Sequence, residues 1–306
     1  MSHKNKLPLY LFIFLSPYSV ANHSYTYESG EQIKLKSHNA SISEKNGKPV
    51  LMLKGQKNET HINFDKLSVG NKGLEIDNSI DTSYIITEVI SDRPSVFRGE
   101  INVTQNPAKL IIINPNGFEM KEQFGISGTI YNKIIAGNAP DDIFDYDDIN
   151  IHELQSNGSK ITISGVNNKN RFSETSLLSR NVSIRESNLY FDKLYIGNIF
   201  INEGENPGNS KITIDKDSVI NITSLSGDFV GARFYQHGNI TGNVNFTLNH
   251  SHLNNTGKMT GDYGKIILKD NISSVTGTEN MTYTNPDVVS GENLSDQSPV
   301  RVGPRW

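Results

Sequence analysis

Five carboxylates stand within eight residues at Asp141-Asp142-Ile-Phe-Asp145-Tyr-Asp147-Asp148. A run of that density holds the oxygen ligands that a hard cation such as Ca²⁺ requires. It lacks the glycine-spaced ligands of an EF-hand loop or of calcium-binding nonapeptide repeats. Asp141, Asp142, Asp145, Asp147 and Asp148 are therefore expected to form a solvated loop, and no metal site is assigned to them. A polysaccharide lyase would couple such acids to an arginine base, and no motif ties this run to one. His250-Ser-His252 would place two imidazoles on one face of a strand, a spacing zinc can use. With no third ligand at a defined spacing, they are expected to decorate an exposed surface. No Ser-His-Asp pattern, glycine-rich phosphate loop or Gly-x-Ser-x-Gly turn is present, so the chain is expected to be non-enzymatic and to carry no cofactor.

The most specific local chemistry is a corner. Leu110-Ile-Ile-Ile113 reads as a buried strand, and it runs directly into Asn114, Pro115, Asn116 and Gly117. Those four types fit a type I turn position by position. The first asparagine can bond its own backbone, and proline presets φ at the second place. Asparagine is tolerated at the third, and glycine is favoured at the fourth.

Composition narrows the field for the elements that hold such a corner. The chain has 306 residues, a net charge of -4, 35% hydrophobic residues and no cysteine. No Lys/Arg block stands out, so there is no electrostatic argument for nucleic acid. Abundant Asn, Ser, Thr and Gly suit many short strands, many corners and a thin core. Without disulfides, stability must come from repetitive packing. His3, Lys4 and Lys6 precede the apolar stretch Leu7–Leu15, and Ser19-Val-Ala21 offers a cleavage site before Asn22. This reads as an export signal over residues 1–21, too short to span a bilayer. The numerous Asn-x-Ser/Thr sequons, Asn102, Asn181, Asn221, Asn239, Asn245 and Asn271 among them, follow from the composition.

Lysines 109, 160, 211 and 265 each open a Lys-apolar-x-apolar segment, at intervals of 51, 51 and 54 residues. Such regularity indicates a solenoid, with two circuits of roughly 25 residues per interval. Period-2 alternation predicts Ile111, Ile113, Ile161, Ile163, Ile212, Ile214, Ile266 and Leu268 stacked inward. The expectation is an all-β parallel β-helix over 22–275, capped by residues 22–60, with a polar, disordered tail over 276–306.

The order of three segments carries a resemblance. Phe64-Asp-Lys-Leu-Ser-Val-Gly-Asn-Lys-Gly-Leu-Glu-Ile-Asp-Asn78 comes first, then Ser95-Val-Phe-Arg-Gly99-Glu-Ile101, then the strand and its Asn114-Pro115-Asn116-Gly117 corner. Over residues 60 to 120 this resembles the haemagglutination-activity domain of two-partner-secretion exoproteins, the filamentous haemagglutinin-like family. Phe118 stands where that family usually has Ile or Val, and Lys66-Leu67-Ser68 departs from its F-N-V pattern. A second Asn-Pro-Asn motif is absent, and Gly137-Asn138-Ala139-Pro140 is no substitute for it. The resemblance implies a right-handed parallel β-helix that is secreted or displayed at the cell surface through the periplasm of a Gram-negative bacterium. It also implies a cognate outer-membrane β-barrel transporter with periplasmic docking domains as partner. Gly99, Ile101 and the corner would then form the secretion motif, on an adhesin or haemagglutinin that meets a host-cell receptor or glycan. Two alternatives are a carbohydrate-active β-helix enzyme and a fragment of a cytolysin.

Overall fold

In a computed structural model the described residues are 23–138, 159–168, 172–198 and 210–290. Their strands form three sheets, and within each sheet neighbours follow one another in chain order. The first sheet contains Ser24–Thr26, Gln32–Leu35, Glu59–Leu67, Tyr84–Val89, Ala108–Ile113, Thr129–Ala136, Glu174–Ser179, Asn188–Gly197, Val219–Val230, Asn239–Asn249, Lys258–Leu268 and Met281–Ser290. The second contains Ser95–Phe97, Phe118–Lys121, Lys160–Ser164, Asn181–Arg185, Ser210–Ile214, Ala232–Gln236, His252–Asn255 and Ser274–Thr276. The third contains Ala40–Lys45, Lys48–Leu53, Leu74–Asp77, Glu100–Thr104 and Gly125–Ser127. Every pairing after Glu59–Leu67 is parallel. The chain is thus wound into a β-solenoid of about nine turns. This is the expected parallel β-helix, in which each strand lies against the equivalent strand of the next circuit.

Alternation explains why these segments form strands. In Lys160–Ser164, Ser210–Ile214 and Ala232–Gln236, every second side chain is buried. Registered pairing sets Ile161, Val182, Ile212, Phe234 and Leu253 in one inward row. Aromatic rings continue the stacking along the axis. Phe97, Phe124, Phe172 and Phe191 lie 5.9, 5.7 and 4.8 Å apart in succession.

Two expected core positions are corrected. Leu110 and Ile112, rather than Ile111 and Ile113, belong to the core, where they pair in register with Ile85 and Ile134. Ile111 and Ile113 lie on the opposite side of the sheet, yet they too are fully buried. A strand with apolar residues at four successive positions leaves its parity open. The lysine repeat also mixes two walls. Lys160 and Lys211 lie in the second sheet, two circuits apart through Asn181, whereas Lys109 and Lys265 lie in the first.

At the N-terminal end, Ser24–Thr26, Gln32–Leu35 and Glu59–Leu67 pair antiparallel, as do Ala40–Lys45 and Lys48–Leu53. They close the edge that the first parallel circuit would otherwise expose. At the other end the solenoid passes the boundary expected at 275. Met281–Ser290 pairs along its length with Lys258–Leu268, and Met281 and Tyr283 pack against the core. Alternating inward residues outweigh the polar composition there. The expected export signal, the acidic run from Asp141 to Asp148 and the end of the expected tail, 291–306, lie outside the described residues.

Candidate functional site

The Asn114–Gly117 corner joins the first sheet to the second. It closes as a turn, since the Gly117 N–H donates to the Asn114 carbonyl at 3.0 Å. The Asn114 side chain is fully buried, and every one of its polar atoms is engaged. Its Nδ2 donates to the Arg93 carbonyl at 3.1 Å and to Ser95 Oγ at 3.0 Å. Its Oδ1 accepts the Asn116 N–H at 2.9 Å, so the side chain closes a second, smaller ring within the corner. Asn116, half-buried, donates from its own amide to the Ser91 carbonyl. Both asparagines therefore tie the corner to residues 91–95 of the preceding circuit, where the backbone is irregular and needs partners.

Gly117 has φ of +91°, and a Cβ there would run into the Lys160 backbone of the next circuit. The left-handed conformation and the close approach of two backbones both require glycine. Gly99 faces a comparable limit for another reason. Its Cα lies against the Gly70–Gly73 turn of the preceding circuit, and a Cβ would come within 2.7 Å of Gly73 N. Ile101, next on the same segment, is fully buried and registers with Leu74 and Ile126 in the third sheet. The structure thus brings Gly99, Ile101 and the four corner residues into the same few circuits, each set by packing.

The cap reaches into this region. Tyr27 lays its ring against Gly70 and donates its hydroxyl to the Gly73 carbonyl at 2.9 Å. Arg98, adjacent to Gly99, bonds Glu31 of the cap at 2.6 Å through Nε and Glu122 through Nη1. Burial works against the charge on Glu31, but the Ser29 hydroxyl and Arg98 together hold its carboxyl below the ordinary value. Tyr27, Gly70 and the Glu31–Arg98–Glu122 clasp were not singled out in the sequence. The Gly70-x-x-Gly73 spacing could have marked the turn, but no local pattern marks Tyr27 or the clasp, whose members are far apart in the chain.

Beside the corner opens a groove of about 330 Å³ lined by Glu31, Gln32, Lys66, Ser91, Arg93 and Ser95, among others. It offers charge of both signs and hydrogen-bonding groups. The two histidines are separated by the fold. His250 occupies a left-handed corner, φ 51°, and pairs with Asp270 at 3.3 Å. His252 points outward from the second sheet and contacts Ser274 Oγ at 2.8 Å. They do not share a strand face, because the strand begins only at His252. Among the described residues no group of three potential metal ligands comes together.

Neither a family model nor a curated protein matches the sequence. The comparison of folds is informative. The crystal structure of the filamentous hemagglutinin secretion domain aligns with a TM-score of 0.58, covering 85% of this chain and 99% of its own, at 16% identity. This chain has the fold of that secretion domain. At such low identity the shared property is the fold.

Proposed function

We propose that this chain is the secretion domain of a haemagglutinin-like exoprotein, exported through a cognate outer-membrane β-barrel transporter and acting as an adhesin without enzymatic activity. The observation that carries the reading is the inward-turned Asn114-Pro115-Asn116-Gly117 corner within a fold like that of a known secretion domain. In the folded domain Asn114 is inaccessible, so a transporter that reads it must do so before the corner closes. The periplasmic docking domains would then take the segment in extended form, by adding it to a sheet edge. Folding outside the cell would withdraw the motif from the transporter.

The test is secretion of the Asn114→Ala, Asn116→Ala double variant beside the cognate transporter. The variant is expected to remain in the periplasm and to bind the isolated docking domains more weakly when both it and the parent chain are presented unfolded in urea. Normal secretion would overturn the recognition role. Lost secretion with unchanged docking would reduce the motif to a folding corner. No observation favours the carbohydrate-active enzyme, since the acidic run on which it rests lies outside the described residues.

A further inference from the structure

The second sheet presents an outer face whose charge contradicts that of the chain. On its five central strands, from Lys160–Ser164 to His252–Asn255, the outward positions alternate with the buried rows. Not one of these outward positions is Asp or Glu, in a protein of net charge -4. Four are cationic: Lys160, Arg185, Lys211 and Arg233, all exposed. His252 is a fifth basic side chain, and every remaining outward residue is Ser, Thr, Asn or the single Tyr235. Register places Lys160, Lys211, Arg233 and His252 in one row along the solenoid axis, with Asn181 between the first two. At about 4.8 Å per strand, that row runs roughly 19 Å. Among the described residues none of the four cations is ion-paired. At the edge, Glu119 is taken up by Lys121 at 2.6 Å, and the Asp215 carboxylate accepts the Glu186 N–H and the Ser218 hydroxyl.

We propose that this face binds a linear anionic polysaccharide, laid along the solenoid axis with its sulfate or carboxylate groups on the lysine–arginine row. The neighbouring hydroxyl and amide side chains suit the sugar hydroxyls. Nucleic acid fits less well. Single strands are held on aromatic platforms, and the one aromatic residue here has Lys211 Nζ 5.0 Å from its ring centre. A flat sheet face also has no helix or ribbon to enter a duplex groove. The inference rests on the geometry of this face, and it is independent of the export reading because binding needs no transporter.

The experiment uses the purified full chain on immobilised dextran sulfate, a polyuronate and uncharged dextran. Binding to one or both charged polymers, and none to dextran, is expected. Retention by both assigns the face to anionic groups in general, and retention by dextran sulfate alone narrows it to sulfates. Raising the salt concentration should release the protein. The Lys160→Gln, Arg185→Gln, Lys211→Gln, Arg233→Gln variant should bind about tenfold more weakly or worse, because a one-signed charged surface gathers its ligand electrostatically. A control losing the same charge elsewhere, Lys36→Gln, Lys45→Gln, Lys54→Gln, Lys258→Gln, should bind like the parent chain. If the fourfold variant melts early, Lys211→Gln and Arg233→Gln are measured singly. Equal loss in variant and control, no binding to either charged polymer, or displacement of dextran sulfate by an oligonucleotide at lower concentration would overturn the proposal.

Discussion

Gly117 and Asn114 sit three residues apart in the corner but are fixed by different physics. Gly117 is required by a φ of +91° and by the Lys160 backbone against it. Gly117→Ala should cost about 1–3 kcal/mol for the strained conformation alone, and more where the next circuit must shift. Asn114→Ala leaves the buried Ser95 hydroxyl without its donor, and the partly buried Arg93 carbonyl and Asn116 N–H without their partner, a loss of about 1–3 kcal/mol. Urea unfolding of the two variants should show both midpoints lowered. Pro115→Ala should change the midpoint little, because proline here only restricts the unfolded chain. The turn was legible from residue types because each position of Asn114-Pro-Asn-Gly117 has a local reason. The targets of the asparagine side chains were not, since Arg93 and Ser91 become neighbours only through the winding of the solenoid.

Strand parity depends on contrast between neighbours. Ile212-Thr-Ile214 alternates apolar with polar, so its inward side could be read directly, whereas Leu110-Ile-Ile-Ile113 has no polar residue to mark the outer face. The same difference sets an experimental contrast. Ile212→Asp would place an unpaired charge in the row with Val182 and Phe234, and a loss above about 4 kcal/mol is expected. Thr213→Asp, one residue along and outward, should stay within about 0.5 kcal/mol. Thermal melts of the pair check the parity. Two carboxylates add a pH dependence, one in the cap and one near the other end of the solenoid. Glu31 and Asp270 have lowered folded pKa values, against ordinary values of 4.5 and 3.8. For Asp270, burial opposes the charge, and donation from the His250, Ser273 and Ile272 N–H groups outweighs it. Each carboxylate binds protons more readily in the unfolded chain. Its stabilisation is therefore complete above the ordinary value and is lost as pH falls through the lower folded one. The urea midpoint of the parent chain should fall with acid through that range. Glu31→Gln should remove part of the slope, and an unchanged slope would show that the clasp contributes nothing.

In the whole molecule, stability is passed from circuit to circuit. Many tertiary hydrogen bonds within the solenoid join residues some 20 to 30 positions apart, as in Asn114 to Arg93 or Ser251 to Phe229, so each turn leans chiefly on its immediate neighbours. Such an array behaves as a nearly one-dimensional chain of coupled units. The solenoid was legible because its corners and alternation repeat. Its length was not, because Met281–Ser290 has a turn-like composition and shows itself as a strand only against Lys258–Leu268. The coupling makes a prediction about where damage spreads. Ile212→Asp strikes the middle of the second sheet, and its nearest partners are the strands at Asn181–Arg185 and Ala232–Gln236. The circuits after it rest on the damaged one and have no antiparallel cap of their own among the described residues. The circuits before it are closed by the cap and by the Glu31–Arg98–Glu122 clasp. Hydrogen exchange on the variant should therefore show amides of 84–113 protected nearly as in the parent chain, while those of 210–268 exchange far faster. Uniform loss of protection would mean that the solenoid unfolds as a single unit. Adding Arg98→Ala should then extend the loss toward the N-terminus, because it loosens the one end that still holds the remaining circuits together.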